Sequence, residues 1–302
     1  MTVVKMEGGL GNQMFQYALG RALSLERGGP LYVDPSPLFD PTPRKAGRFP
    51  YDISTVFNIN PQWVFPAKIA EKVRIPYFAM RFQRDYPRIL GMLGYWTYYH
   101  EREERQFTRD PHVFEIKGNI YLEGWWQTEN YFKSHEDVIR RDFTFRGVLE
   151  GKKAALSREI SSVPSVCLNV RRGDRVQFSH LNHLNDVVSA DYYRKAVSIV
   201  KQKAGRDIKI YIFSDEIDWC RKNFTFDVPH VFVDYEYAGT RFMDYLHLMS
   251  MCKYFIIPNS TFAWWGAWLS TYPNKMVIIP DRWNGDFAVD ARDIAPLSWV
   301  RI

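Results

Sequence analysis

Strands and helices alternate through most of this 302-residue chain, which predicts an α/β protein on parallel, doubly wound sheets. Three observations carry the prediction. The chain opens on a strand, a glycine turn, an amphipathic helix and a second strand. Its second half alternates short apolar runs with helix-length amphipathic stretches. Three of those apolar runs end in polar loops that precede helices: 169–174, Ser214-Asp215 and Asn259-Ser260-Thr261. Open parallel sheets bind their ligands at the carboxyl ends of strands, so the three loops are expected to converge on one crevice.

In chain order, Thr2 to Glu7 reads as the first strand, and Gly8-Gly9-Leu10-Gly11-Asn12-Gln13 turns into a helix. Met14, Tyr17, Ala18, Ala22 and Leu25 give that helix its apolar face, and Gly28-Gly29-Pro30 ends it before strand Leu31-Tyr32-Val33. Residues 34–112 are aromatic and proline-studded, with short helical pieces only. Gly118 to Trp126 reads as a strand, "TENYFKSHEDVIRRDF" as a helix, Lys152 to Ser162 as a polar helix and Ser161 to Pro164 as a linker. A domain boundary is therefore expected between residues 160 and 161. Beyond it, strands are expected at 165–170, 208–213, 230–233, 254–257 and 276–279, with helices at 191–204, 216–223 and 242–251 and a tryptophan-rich one after Thr261.

Composition sets outer limits. A hydrophobic share of 46% and a charged share of 25% suit a soluble globular protein. The net charge of +6 favours anionic partners without deciding the fold. The basic residues are spread out and form no single stripe, which argues against a nucleic-acid binder. Cys167, Cys220 and Cys252 are odd in number and stand in apolar contexts, so they are expected as reduced core residues. The opening MTVVKMEGGLGNQ has no apolar targeting region, and a cytoplasmic location is the expectation.

Arg171 and Arg172 follow an apolar strand directly and precede Gly173 and Asp174. A guanidinium grips phosphate oxygens through a planar fork and stays charged in a partly dry cleft, so the pair points to a phosphate ligand. Asp174 reads either as an ion-pair clamp on the arginines or as a base. Ser260 and Thr261 cap the next helix, whose exposed N–H groups also suit an anion. The loop at Gly8 to Gly11 is an incomplete dinucleotide fingerprint, with Met14 where a third glycine or alanine belongs; Asp34 stands where its acidic partner would. A nicotinamide oxidoreductase is thus an alternative. His180 and His183 have no third metal ligand nearby and read as a solvated loop; Glu216 and Asp218 read as first-turn helix residues. Trp264, Trp265 and Trp268 read as core.

The motifs "GGLGNQMFQYALGRAL", "YLEGWWQTENYF", "VRRGD", "IFSDE" and "DYLHLMSMCKYFIIPNSTFAWWGAWLS" occur in this order and span nearly the whole chain. Together they resemble the bacterial α-1,2-fucosyltransferases of glycosyltransferase family 11. The resemblance implies a B-type glycosyltransferase fold, with two Rossmann-like domains facing a donor cleft: residues 1–160 on the acceptor side and 161–302 on the GDP-fucose side. It implies GDP-fucose as donor, with no metal or other cofactor, a galactose-containing oligosaccharide or lipid-linked glycan as acceptor, and inversion at the anomeric carbon. α-1,6- or O-fucosyl transfer is the alternative within that fold.

Carried onto this chain, the implied donor contacts are Gly9, Gly11, Asn12, Asn169, Arg171, Arg172, Ser214, Asp215, Asp244, Asn259, Ser260 and Thr261. Arg172 is the expected stabiliser of the leaving diphosphate, Asp174 a candidate base and Asp244 a partner for guanine. The family commonly has histidine where this chain has Asn169, and an aromatic residue at Arg175. Finally, residues 67–96 interleave six cationic residues (Lys68, Lys72, Arg74, Arg81, Arg84, Arg88) with large apolar ones, against Glu71 and Asp85. They read as an amphipathic element packed on the N-terminal sheet or lying at an anionic membrane surface, with Pro76 and Pro87 limiting any helix to about ten residues.

Overall fold

The computed structural model describes residues 1–39, 50–64, 77–173, 188–205, 207–283 and 290–302, with the side chains of 77–84 left undescribed. The chain forms two compact units: Met1–Arg146 with Ala288–Ile294, and Gly147–Phe287 with Ala295–Ile302.

In the first unit, strands β1 (Thr2–Lys5), β2 (Leu31–Asp34), β3 (Gln62–Trp63), β4 (Thr97–His100) and β5 (Ile120–Glu123) form a parallel sheet in the order β3-β2-β1-β5-β4. Helix α1 (Leu10–Arg27) follows β1, and Gly28 ends it in the left-handed conformation with φ 62°. Short helices α2 (Ile53–Val56) and α4 (His112–Glu115) flank the longer α3 (Tyr77–Met92). Helix α3 runs through Pro87 and does not stop there. Its two sides are tied down: Tyr86 is buried and its hydroxyl donates to Asp34 at 2.6 Å, while the Pro87 carbonyl accepts from the Trp96 indole at 2.7 Å. Tertiary anchoring thus overrides the local cost of proline. Residues 67–76 of the basic segment lie outside the described residues. The helix expected after Thr128 is two 3₁₀ turns followed by α5 (Glu136–Asp142).

The second unit begins with α6 (Gly151–Ser162), which leads into β6 (Ser165–Val170) with no separate linker. The division between units falls after Arg146, ahead of the 160/161 boundary, because α6 packs within the second unit. Glu159 on it accepts from Lys209 and from Tyr211, and Lys153 pairs with Asp244. Then come α7 (Ala190–Ala204), β7 (Lys209–Ser214), α8 (Ile217–Asn223), β8 (His230–Phe232), α9 (Met243–Ser250), β9 (Tyr254–Ile256), α10 (Thr261–Leu269), β10 (Met276–Ile279) and β11 (Val300–Arg301). The sheet is wholly parallel, in the order β11-β10-β9-β6-β7-β8.

Every residue of β6 is buried, as a central strand covered on both faces should be. Val166, Leu168, Ile210, Ile212 and Ile256 pack on Val197 and Val200 of α7. Trp264, Trp265 and Trp268 are buried as expected, and so are the three free cysteines. Among the described residues no helix is long and apolar enough to cross a membrane.

Candidate active site

In the second sheet the strand order reverses between β6 and β9, the position where doubly wound sheets open a ligand crevice. Pairing in register sets Val170 beside Ser214 and Leu168 beside Ile256, so the ends of β6, β7 and β9 are neighbours. Each is followed by one of the polar loops the sequence singles out.

The arginine loop is buckled by one carboxylate. Asp215 Oδ1 accepts from the Arg172 backbone N–H at 2.9 Å, and Oδ2 accepts from the Gly173 N–H at 3.1 Å. The same Oδ2 pairs with Arg171 Nη1 at 3.3 Å. A Cβ on Gly173 would lie 3.0 Å from this oxygen, so glycine permits the close approach. Asp215 is itself held by Tyr235, whose hydroxyl donates to the Asp215 carbonyl at 2.7 Å and accepts from the Ile217 N–H at 3.2 Å.

Arg172 is fixed on two sides. Its Nε donates to Glu216 Oε2 at 3.2 Å, and its guanidinium carbon lies 3.7 Å from the centre of the Trp219 ring. The stack sets the guanidinium plane, and the ion pair takes up Nε. What remains is the Nη fork, the part of the group that binds phosphate oxygens. Glu216 therefore does more than enrich the first turn of α8. Neither it nor Trp219 stands out in the sequence as a partner of Arg172. The available signal is their place: Glu216 is the N-cap of α8 and Trp219 lies in its first turn, immediately after a strand-end loop.

The remaining predicted residues fall into distinct places. Asn169 is buried and donates through Nδ2 to the Phe213 carbonyl at 3.3 Å; Ser214 Oγ accepts from the Glu216 N–H at 2.9 Å. Asn259 Nδ2 donates to the Trp283 carbonyl at 3.1 Å. Ser260 caps α10, its Oγ accepting from the Ala263 N–H at 3.4 Å, and Thr261 is the first helical residue. Asp244, in the first turn of α9, is paired with Lys153 and lies against Gly239, which has φ 68°. Asp174, His180 and His183 lie outside the described residues. Among the described residues no group of three His, Cys, Asp or Glu is placed to hold a metal ion.

In the first unit Gly9 is the N-cap of α1, and its carbonyl accepts from Asn12 N at 2.9 Å. Gly11 is buried in the first turn. The Asn12 Oδ1 accepts from Gln127 Nε2 at 3.0 Å, which orients the amide with Nδ2 as its donor. Gln127 belongs to a tight segment after β5. There Glu101, only 4% exposed, accepts from the N–H groups of Trp125 at 2.6 Å and Trp126 at 3.0 Å. Trp126 has φ 57°, a left-handed conformation unfavourable for a bulky side chain, and the Glu101 carboxyl group helps hold it.

Burial pushes the Glu101 carboxyl up to about 8, although the two backbone donors pull the other way. A carboxyl raised on folding contributes stability that is present at low pH and is lost as pH rises toward its folded value. Between pH 7 and 9 the wild type is expected to lose about 1 kcal/mol more stability than Glu101→Gln. Denaturant titrations of both proteins across that range check this, and parallel curves would refute it.

The model of Glycosyl transferase family 11 matches residues 62–302. An α-1,2-colitosyltransferase from Escherichia coli is 33% identical over 100% of this chain and 99% of its own. The O-antigen biosynthesis glycosyltransferase WbnK from Escherichia coli is 28% identical over 98% of this chain and 99% of its own. Among solved structures, an Arabidopsis thaliana FUT1 mutant in complex with GDP matches with a TM-score of 0.50 at 11% identity, covering 89% of this chain and 68% of that one. That likeness is one of fold, on which this chain carries its arginine loop at the carboxyl end of β6. The full-length match to the colitosyltransferase and the family model together settle the lineage: the chain belongs to glycosyl transferase family 11, a family of fucosyltransferases and related sugar transferases.

Proposed function

We propose that the protein transfers L-fucose from GDP-fucose to the 2-hydroxyl of a galactose-containing glycan, with inversion at the anomeric carbon and without a metal ion or other cofactor. The observation that carries this reading is the Arg172 fork, set by Trp219, Glu216 and Asp215 at the switch point of a family 11 sheet. In the reaction the acceptor oxygen bonds to the anomeric carbon as the bond to the diphosphate breaks. The acceptor proton passes to a base, for which Asp174 is the nominee, and GDP leaves. Positive charge develops on the sugar and negative charge on the diphosphate. Arg172 meets the second, with Arg171 and the N–H groups at the start of α10 beside it. Asp244 is assigned to guanine, whose N1–H and amino group a carboxylate accepts in parallel; that role requires it to share its charge with Lys153.

A second reading keeps the linkage and changes the sugar, because the 33% identical relative is an α-1,2-colitosyltransferase. Thermal shifts test the nucleotide first. GDP and GDP-fucose at a hundredfold excess over Kd should raise Tm by about 4–5 °C, and UDP sugars should not. Turnover in excess chelator with linkage analysis of the product completes the test. Equal shifts with UDP and GDP would remove the guanine assignment. Activity lost to chelator and restored by Mn²⁺ would remove arginine from the role of sole charge. Turnover of a colitosyl donor in preference to GDP-fucose would select the second reading.

A further inference from the structure

The described residues expose eight large apolar side chains, and four of them lie within seven residues at the end of α3: Ile89 at 41%, Met92 at 88%, Leu93 at 67% and Tyr95 at 62%. Beside them opens a groove of about 780 Å³. Trp96 and Tyr98 form part of its wall, Arg88 and Lys117 supply its charge, and no carboxylate lines it. Both cationic side chains are exposed; Arg88 lies over the Tyr98 ring at 5.4 Å, and its Nε donates to the Tyr98 hydroxyl at 3.3 Å.

We propose that this rim and groove form a docking surface for an anionic lipid bilayer. Three features select that partner. Met and Leu at such exposure lose apolar area from water only if something covers them, and here they are clustered. Tyr and Trp beside them are the side chains that settle at the boundary between lipid and water. The charge lining the groove itself is of one sign, Arg88 and Lys117, which an anionic headgroup layer complements, while the nearby Glu123 is taken up by Tyr98 and Lys5. A second copy of the chain fits worse. A two-fold contact through this patch would bring Arg88 and Lys117 toward the same cations of its mate. The surface holds none of the residues assigned to donor binding, so it bears on where the enzyme works and not on its chemistry. An enzyme held there would meet acceptors carried on lipid in two dimensions.

Co-sedimentation of the full chain with vesicles tests the proposal. Binding is expected to phosphatidylglycerol-containing vesicles at low salt, not to pure phosphatidylcholine, and to be released near 0.5 M salt, where screening acts within about 4 Å. Arg88→Gln and Lys117→Gln should each weaken binding about fivefold. The pair Met92→Ser with Leu93→Ser should weaken it about tenfold or more. Unchanged circular dichroism and Tm would show that these exposed positions leave the fold alone. Absence of binding to anionic vesicles at low salt overturns the proposal, as does binding that survives both sets of variants. A concentration-dependent dimer in light scattering, abolished by the apolar pair, would give the surface to a second copy instead.

Discussion

Arg172→Ala is expected to lower kcat by about 10³-fold while the protein keeps its Tm within a few degrees. The loss follows from removing a preorganised charge from the point where negative charge develops, an effect that typically costs on the order of 10²–10³ in rate. Arg172→Lys should recover little. A lysine ammonium has no planar face for the Trp219 stack, found at 3.7 Å, and no fork for two phosphate oxygens. Arg171→Ala should be milder, because Asp215, which pairs with Arg171, still holds the arginine loop through the Arg172 and Gly173 N–H groups. Steady-state kinetics on the three variants decide the matter. If the lysine variant keeps most of the activity, a point charge suffices. If Arg171→Ala is inactive and Arg172→Ala is not, the two assignments exchange.

Asp215→Ala is the second large effect, and it separates positioning from contact. The substitution leaves the Arg172 and Gly173 N–H groups without their acceptor and removes one ion-pair partner of Arg171. Two orphaned donors of this kind cost about 2 kcal/mol in stability. The released loop should cost about 10²-fold in kcat with a smaller change in KM, because the Arg172 fork is then displaced from the developing charge. Asp215→Asn keeps a carbonyl oxygen for one of the two N–H groups and should fall between. A variant that loses donor affinity but neither stability nor kcat would show that Asp215 touches the donor directly instead of holding the loop.

Much of the second unit was legible in the sequence. Apart from the two-residue β11, its strands are largely apolar runs of three to six residues, bounded by polar loops and separated by helices. Buried parallel strands announce themselves in that way. The three strand-end loops were legible for the same reason, and the topology sets their strands side by side. The first unit was harder. Its β3 is two residues long, β4 is "TYYH", and both lie among aromatic residues with no clean period. Tertiary contacts, not local pattern, define such elements. The partners of Arg172 were hidden because a cation over an indole is a relation between a loop and a helix, and neither segment carries a motif for it. The Glu101 clamp was hidden because it ties the segment after β4 to the segment after β5, and its carboxylate binds backbone groups that have no sequence identity.

The discontinuity of the two units has a consequence for how the molecule is made. Ala288–Ile294 belongs to the first unit, where the Asp293 carbonyl accepts from Thr128 Oγ at 2.7 Å and its carboxylate from the Arg109 N–H at 3.2 Å. The following residues return to the second unit, where Val300 and Arg301 pair with Ile278 and Ile279 and close the edge of the sheet. During translation the nascent chain therefore carries an unfinished first unit and an open β10 edge until residues 290–301 have been made. Contacts spanning 165 residues cannot form earlier. A chain cut before residue 290 is deficient in both units at once, with a parallel strand exposed for intermolecular pairing. The segment 290–301, remote in sequence from every residue of the arginine loop, is thus the piece that both units wait for.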